Sequence, residues 1–314
     1  MKPDQIAMRD AYGEELLKLG EEYPGLTVLD ADVSSSTRTA AFGKKFPDRF
    51  FNVGVAEANM VDIAGGLALC GLRPIVNSFA VFLTLKATEQ IRNVICYNKL
   101  PVILVGSYAG LSDSYDGASH QSVEDIAVMR AMPNLNVIVP ADAVELKQAL
   151  RHALTLDGPT YIRTCRNPTP VVLGNAQPFS FGKISIIKEG SDVTIAATGI
   201  PVAMALQAAA KLEEIGIVAE ILNISTIKPL DELTLVDSVK KTKCILTVEE
   251  HSSTGGLGSA VAEVLMKQFP VPADYIGIND TFTETGSYDE LLDKYRISVD
   301  VIIEKVKKIV GQSS

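Results

Sequence analysis

Short β-branched apolar runs alternate with longer helical patterns from one end of this chain to the other, and few architectures accommodate that order. Candidate strands lie at Leu26–Leu29, Phe51–Val53, Pro74–Val76, Val102–Val105, Val137–Val139 and Tyr161–Arg163. Between them, Asp4–Glu22 and Asp142–Thr155 read as helices; in the second, Ala143, Leu146, Leu150, Ala153 and Leu154 recur at three- and four-residue spacing. Strands that are apolar throughout, rather than alternating, belong to parallel sheets covered by helices on both faces. Pro168, Pro170, Gly174 and Pro178 then interrupt the pattern, as a linker does. Beyond them the alternation resumes with strands at Val193–Ala197, Val218–Leu222 and Cys244–Val248, and helices at Val202–Ile215, Leu230–Lys240 and Ser259–Gln268. The reading is an α/β fold in two domains, 1–170 and 190–314, joined by a linker at 171–189.

Composition narrows the function classes. Of 314 residues 47% are apolar, enough for sizeable cores, and the net charge of −9 comes without a basic tract. That balance argues against nucleic acid and anionic membrane surfaces as partners. The apolar stretch from Val193 to Ala210 is broken by Thr198, Gly199 and Pro201, so no membrane span is expected. Asp4 and Gln5 stand where a secretory signal would turn apolar, and a cytoplasmic protein is expected. Cys70, Cys96, Cys165 and Cys244 form no CxxC pair and read as buried thiols.

Taken singly, the polar candidates are ambiguous. His120 lies in Gly110–Gln121, a loop that follows a buried strand, where open α/β sheets bind ligands, yet a hydrogen-bonded loop histidine fits the stretch as well. Glu57 opens a helix, a place the macrodipole favours for any carboxylate. Phe79 and Phe82 would be core residues by default, and Asp32 with Ser34–Ser36 could simply cap a turn. His152 reads as a surface residue; His251, in Glu249-Glu250-His251, suits either a ligand contact or a polar strand end. Gly255–Ser259 lacks the third glycine of a dinucleotide loop and reads as a tight strand-to-helix turn.

Their order is more informative than any one of them. Asp30-Ala-Asp32-Val-Ser-Ser-Ser36, Phe46 through Glu57-Ala-Asn-Met, Ser78-Phe79-Ala-Val-Phe82, Asp116-Gly-Ala-Ser-His120-Gln and Tyr161-Ile-Arg-Thr-Cys-Arg166 follow one another along the first domain. Together they resemble the pyrimidine-binding domain of transketolases, and the second domain resembles the C-terminal domain of the same family. The resemblance implies thiamine diphosphate as cofactor and transfer of a two-carbon ketol unit from a ketose to an aldose. Glu57 would be the catalytic carboxylate that activates the cofactor, by bonding to the pyrimidine ring and promoting its reactive tautomer. Phe79 and Phe82 would hold that ring, with Asp32 also on the cofactor side. His120 and Asp116 would bind the hydroxyls of the donor, with His120 counted as catalytic. Arg166, Arg9 and Ser36 would bind a terminal phosphate, for which a guanidinium fork is suited.

Two departures from the family pattern carry expectations of their own. No Gly-Asp-Gly motif is present, since Asp116-Gly117 follows Tyr115. The diphosphate, a Mg2+ or other divalent ion and its ligands are therefore expected on a second polypeptide, an N-terminal subunit in an α2β2 assembly. Tyr108 stands near where transketolases often place a histidine, and Asp113-Ser-Tyr replaces a Gly-Glu stretch. A phenol carries no positive charge near neutrality, so the anionic end of the substrate is expected to differ from an ordinary pentose phosphate, a sulfonated or branched sugar being one choice. The β-subunit of a 2-oxo-acid dehydrogenase is the alternative reading. A 2-oxo acid, however, offers no row of hydroxyls for Asp116 and His120. A deoxyxylulose-phosphate synthase fragment and a non-catalytic subunit of the same fold stand further off.

Overall fold

A computed structural model describes residues 4–173 and 178–313; Gly174, within the expected linker, lies outside them. The α/β reading holds. Seven strands form the first sheet in the spatial order Thr226–Lys228, Asn136–Ile138, Thr160–Arg163, Ile103–Ser107, Arg73–Phe79, Leu26–Asp30 and Phe50–Asn52. All are parallel except Thr226–Lys228, which pairs antiparallel with Asn136–Ile138. The chain runs from Leu26–Asp30 outward to the edge at Phe50–Asn52 and then returns to the other side at Arg73–Phe79. That reversal is a topological switch point, where the loops beyond the strand ends diverge and leave a crevice.

The second sheet runs Ala273–Ile278, Ile245–Ser252, Val193–Ala197, Ala219–Asn223 and Ser185–Lys188, the last strand antiparallel. Leu26–Asp30, Ile103–Ser107, Val193–Ala197 and Ala219–Asn223 are buried at every residue, because helices cover both faces of their sheets. The two units share a core: one apolar cluster extends from Met60, Leu104 and Tyr161 through Ile227 to Leu257 and Val261. Each large side chain buried there is worth about 1.5–3 kcal/mol of transfer free energy. Among the described residues, no helix is long and apolar enough to cross a membrane.

Two local expectations are corrected. The helix expected over Asp4–Glu22 begins only at Met8, because Gln5–Ala7 is extended and pairs antiparallel with Pro168–Pro170. The proline-broken stretch just before the linker is thus a short strand, strapped to the start of the chain. Its continuation is also held, since Asp142 caps the helix Ala143–Ala153 through Val144 N and Glu145 N while its other oxygen accepts from Val172 N and Leu173 N. The cysteines read as buried are so at 96, 165 and 244, but Cys70 is exposed just past the helix Glu57–Leu69.

Candidate active site

The candidate residues gather at the carboxyl ends of the first sheet. Ser36 follows Leu26–Asp30, Glu57 follows Phe50–Asn52, and Phe79 ends its own strand, with Phe82 one turn on. Tyr108 through His120 follow Ile103–Ser107, and Arg166 follows Thr160–Arg163. Glu57 is the first residue of the helix Glu57–Leu69 and only 3% exposed. Its carboxylate accepts from Ser78 Oγ at 3.4 Å and from Lys86 Nζ at 3.2 and 3.3 Å. The rings of Phe79 and Phe82 lie 5.9 Å apart, and the His120 ring meets Phe82 edge-on at 5.1 Å. A buried carboxylate beside an aromatic wall suits a flat, nitrogen-bearing ring that needs one strong hydrogen bond and exclusion of water.

Lys86 was not among the sequence candidates. It sits one helical turn after Phe82, with its ammonium 4.3 Å over that ring and against Glu57. The i, i+4 spacing from Phe82 was the available signal, but nothing local says that Glu57, 29 residues earlier, closes the triangle.

A second group forms around Tyr108, whose ring stacks on Phe79 at 4.7 Å. Tyr108 adopts φ +62°, a conformation an aromatic residue keeps only where its surroundings hold it. Arg9 Nη1 donates to its hydroxyl, which donates in turn to the Ser36 carbonyl at 3.2 Å. Arg166 lies over the same ring, 5.1 Å from its centroid, and its Nη1 donates to Asp113 Oδ1 at 2.7 Å. Asp116 Oδ2 is 3.7 Å from that nitrogen. Burial first, and then Asp116, push the Asp113 carboxyl up to about 7, with Arg166 opposing the shift. His120 Nδ1 is 3.0 Å from Ser119 Oγ.

Asp32 is the candidate the structure sets apart. It is exposed, at φ +67°, and accepts from Asn52 at the end of the edge strand rather than from a group in the aromatic pocket. Its neighbour Asp30 is fully buried and occupied with shaping the turn, accepting from Val33 N, Thr37 Oγ1 and Thr39 Oγ1. Among the described residues, no cluster of three or more histidine, cysteine or acidic side chains is placed to hold a metal.

Comparison with known proteins matches two family models in succession: transketolase, pyrimidine binding domain, over residues 4–171, and transketolase, C-terminal domain, over residues 182–302. The chain belongs to the transketolase family. A protein of Methanocaldococcus jannaschii, provisionally named a transketolase C-terminal section, is 46% identical over 95% of this chain and 95% of its own length. A 6-deoxy-6-sulfo-D-fructose transketolase subunit of a Clostridium species is 38% identical over 100% of this chain and 98% of its own. Among solved structures, a split-gene transketolase in the form of an inactive beta4 tetramer superposes with a TM-score of 0.90 at 45% identity, covering 98% of this chain and 99% of that one.

Membership implies dependence on thiamine diphosphate, and the pocket fits the pyrimidine half of that cofactor: a buried carboxylate with only long hydrogen bonds, whose partner Lys86 lies over the Phe82 ring beside Phe79. The residues for the diphosphate half are not among those gathered at these strand ends.

The transketolase C-terminal domain also reaches the loop that carries His120. Gln121 Nε2 donates to the Glu284 carbonyl at 3.0 Å, and Gly286 N donates to the Ser114 carbonyl at 3.2 Å. Glu250 accepts from Leu111 N at 2.5 Å and from the Tyr288 hydroxyl at 2.7 Å, while its carbonyl accepts from Arg163 at 2.9 Å. Burial raises the Glu250 carboxyl and nearby Arg163 holds it back. His251 is fully buried; its Nδ1 donates to the Ser252 carbonyl and its Nε2 accepts from Ala127 N at 3.3 Å. Gly255 opens the turn at φ +82°, and Glu249 accepts from Leu257 N and Gly258 N, filling the place an anion would take at that helix start. His152 is half-buried between Phe179 and Phe181.

Proposed function

We propose that this chain is the C-terminal subunit of a heteromeric transketolase, moving a two-carbon ketol unit from a ketose with an anionic end to an aldose. The observation that carries the reading is half of a cofactor site. Glu57, Phe79 and Phe82 suit the pyrimidine ring, while the Gly-Asp-Gly element that would serve the diphosphate is absent from the sequence. A second polypeptide would bring the diphosphate-binding residues and the Mg2+ or similar ion, in an α2β2 assembly acting in cytoplasmic sugar metabolism. The inactive state of the beta4 tetramer of a similar chain supports that division of labour.

When bound, thiamine diphosphate supplies the nucleophilic carbon that takes up the two-carbon unit. The residues of this chain do the rest of the work assigned to it. Glu57 holds the pyrimidine ring by its nitrogen and favours the tautomer that can accept a proton. Phe79 and Phe82 keep water from it. His120, with Asp116, takes the hydroxyls of the donor, and Arg166, Arg9, Ser36 and Tyr108 receive its distal end. The test is reconstitution with the diphosphate-binding subunit encoded in the same organism, followed by ketol transfer from a panel of ketoses. Turnover that requires both chains and thiamine diphosphate supports the proposal; cofactor-dependent acyl transfer to a lipoyl group, or no cofactor-dependent turnover at all, overturns it.

A further inference from the structure

The charge around Arg166 bears on which anion the distal end of the ketose carries. Arg166 and Arg9 flank the Tyr108 ring, at 5.1 and 5.6 Å from its centroid. Two guanidiniums so placed would suit a doubly charged group. Arg9 is answered by a phenol, which sets no carboxylate against it, and its buried Nε is unpartnered among the described residues. Arg166 is answered by a carboxylate. Asp113 Oδ1 lies 2.7 Å from Nη1, and Asp113 is fully buried, so water screens its charge little. Its Oδ2 is buried and has no hydrogen-bond partner among the described residues, whereas Asp30 spreads its charge over three donors. Asp116 adds a second carboxylate 3.7 Å from the same guanidinium nitrogen.

Resting on the transketolase reading, we infer that Asp113 is a specificity-determining residue: it cancels Arg166, so that the site takes a ketose ending in a singly charged, sulfonate-like group in preference to a phosphate ester. A phosphate monoester carries about −1.5 to −2 charges near neutrality. A sulfonate has the same tetrahedral outline and three terminal oxygens but only one charge, and its sulfur is bonded directly to C6, one bond nearer than the phosphorus of an ester. The second charge of a phosphate would face Asp113 and Asp116 with only Arg9 uncommitted. A carboxylate that merely aimed the Arg166 fork at a phosphate would have the opposite consequence, and this makes the assignment testable.

Three ketoses that differ only at C6 decide the matter: D-fructose 6-phosphate, 6-deoxy-6-sulfo-D-fructose and D-fructose. With the reconstituted enzyme at pH 8, where Asp113 has lost the proton it holds up to about pH 7, kcat/KM for the sulfonate is expected to exceed that for the phosphate by about tenfold or more, and that for the uncharged sugar by a similar factor. Asp113→Asn should raise the ratio of kcat/KM for the phosphate to that for the sulfonate by about tenfold, chiefly through KM. A wild-type preference for the phosphate or for the uncharged sugar overturns the inference, and this arm needs no variant to fold. A sulfonate preference that Asp113→Asn leaves intact, with the melting temperature of the variant showing a folded chain, also overturns it. Calorimetric titration of the same three sugars into the wild-type complex keeps the two readings apart. Turnover of none of them, with the sulfonate still bound most tightly, would count against ketol transfer and for the charge selection.

Discussion

The two sheets end alike in sequence and differently in structure. The first closes its strands on Glu57, Tyr108 and Arg166; the second closes a strand on Glu249-Glu250-His251. Both sets are acidic or aromatic-polar clusters at the carboxyl ends of buried parallel strands, and by position alone both invite a ligand. Their hydrogen-bond accounts separate them. Glu249 is filled by Leu257 N and Gly258 N, Glu250 by Leu111 N and Tyr288, and His251 by Ser252 and Ala127. Every donor comes from this chain, so the cluster acts as a lock between the domains. Glu57 has only side-chain partners at 3.2–3.4 Å, and Arg9 Nε and Asp113 Oδ2 have none among the described residues. A ligand site differs from a structural cluster in bonding capacity left over, and polar residue types alone do not reveal which it is.

The contrast can be broken most directly at its two acidic anchors. Glu57→Ala is expected to lower turnover of the reconstituted enzyme by about 100- to 10,000-fold while leaving the far-ultraviolet circular dichroism and melting temperature of the chain close to wild type. Loss of folding with activity would place Glu57 with the lock rather than the site. Glu250→Ala should do the reverse, destabilising the chain by about 2–4 kcal/mol in denaturant titration, because it leaves Leu111 N and the Tyr288 hydroxyl buried without their acceptor, while the backbone carbonyl that takes Arg163 remains. A stability change below about 1 kcal/mol would show that the interdomain lock lies elsewhere.

Smaller effects sharpen the same division. His120→Ala is expected to raise the KM of a ketose donor about tenfold, the scale of one lost hydrogen bond to a substrate hydroxyl, with little effect on binding of the cofactor. Unchanged kinetics with several ketoses would remove His120 from the site.

A pH dependence is expected at Asp113, whose carboxyl is pushed up to about 7. The native chain holds this proton to higher pH than the unfolded chain does, so its contribution to stability is full below the ordinary carboxylate pKa and is lost as pH rises through 7. Asp113→Asn removes that loss. The variant should gain about 2–3 kcal/mol relative to wild type between pH 5 and pH 8, at about 1.36 kcal/mol per unit over the roughly two units from pH 5 to the native value. A difference that does not change with pH would mean that Asp113 is ionised throughout.

Much of the arrangement was legible because the signals were local. Glu57 opening a helix after an apolar run, Phe79 and Phe82 three residues apart, and His120 in a loop after a buried strand can each be read within a dozen residues. What escaped were partners far apart in the chain. Gln5–Ala7 was drawn into a helix because its strand partner, Pro168–Pro170, lies more than 160 residues away. Thr226–Lys228 completes the sheet of the other domain for the same kind of reason. Lys86 offers only its i, i+4 spacing from Phe82, and Asp113 only its place in a stretch that departs from the family pattern; each acquires its meaning from the charge it meets, Glu57 in one case and Arg166 in the other.

The sequence by itself determined the α/β class, most strand cores and the likeness to transketolases, because apolar periodicity and motif order are properties of neighbouring residues. Only the tertiary structure decided which polar groups were already satisfied. It turned Glu249-Glu250-His251 into a clamp, set Asp32 apart from the aromatic pocket, placed Lys86 on Glu57 and bound Arg166 to a buried aspartate. The physical reason is that burial and charge pairing are fixed by contacts between distant segments, and a carboxylate read in sequence carries no record of what will face it.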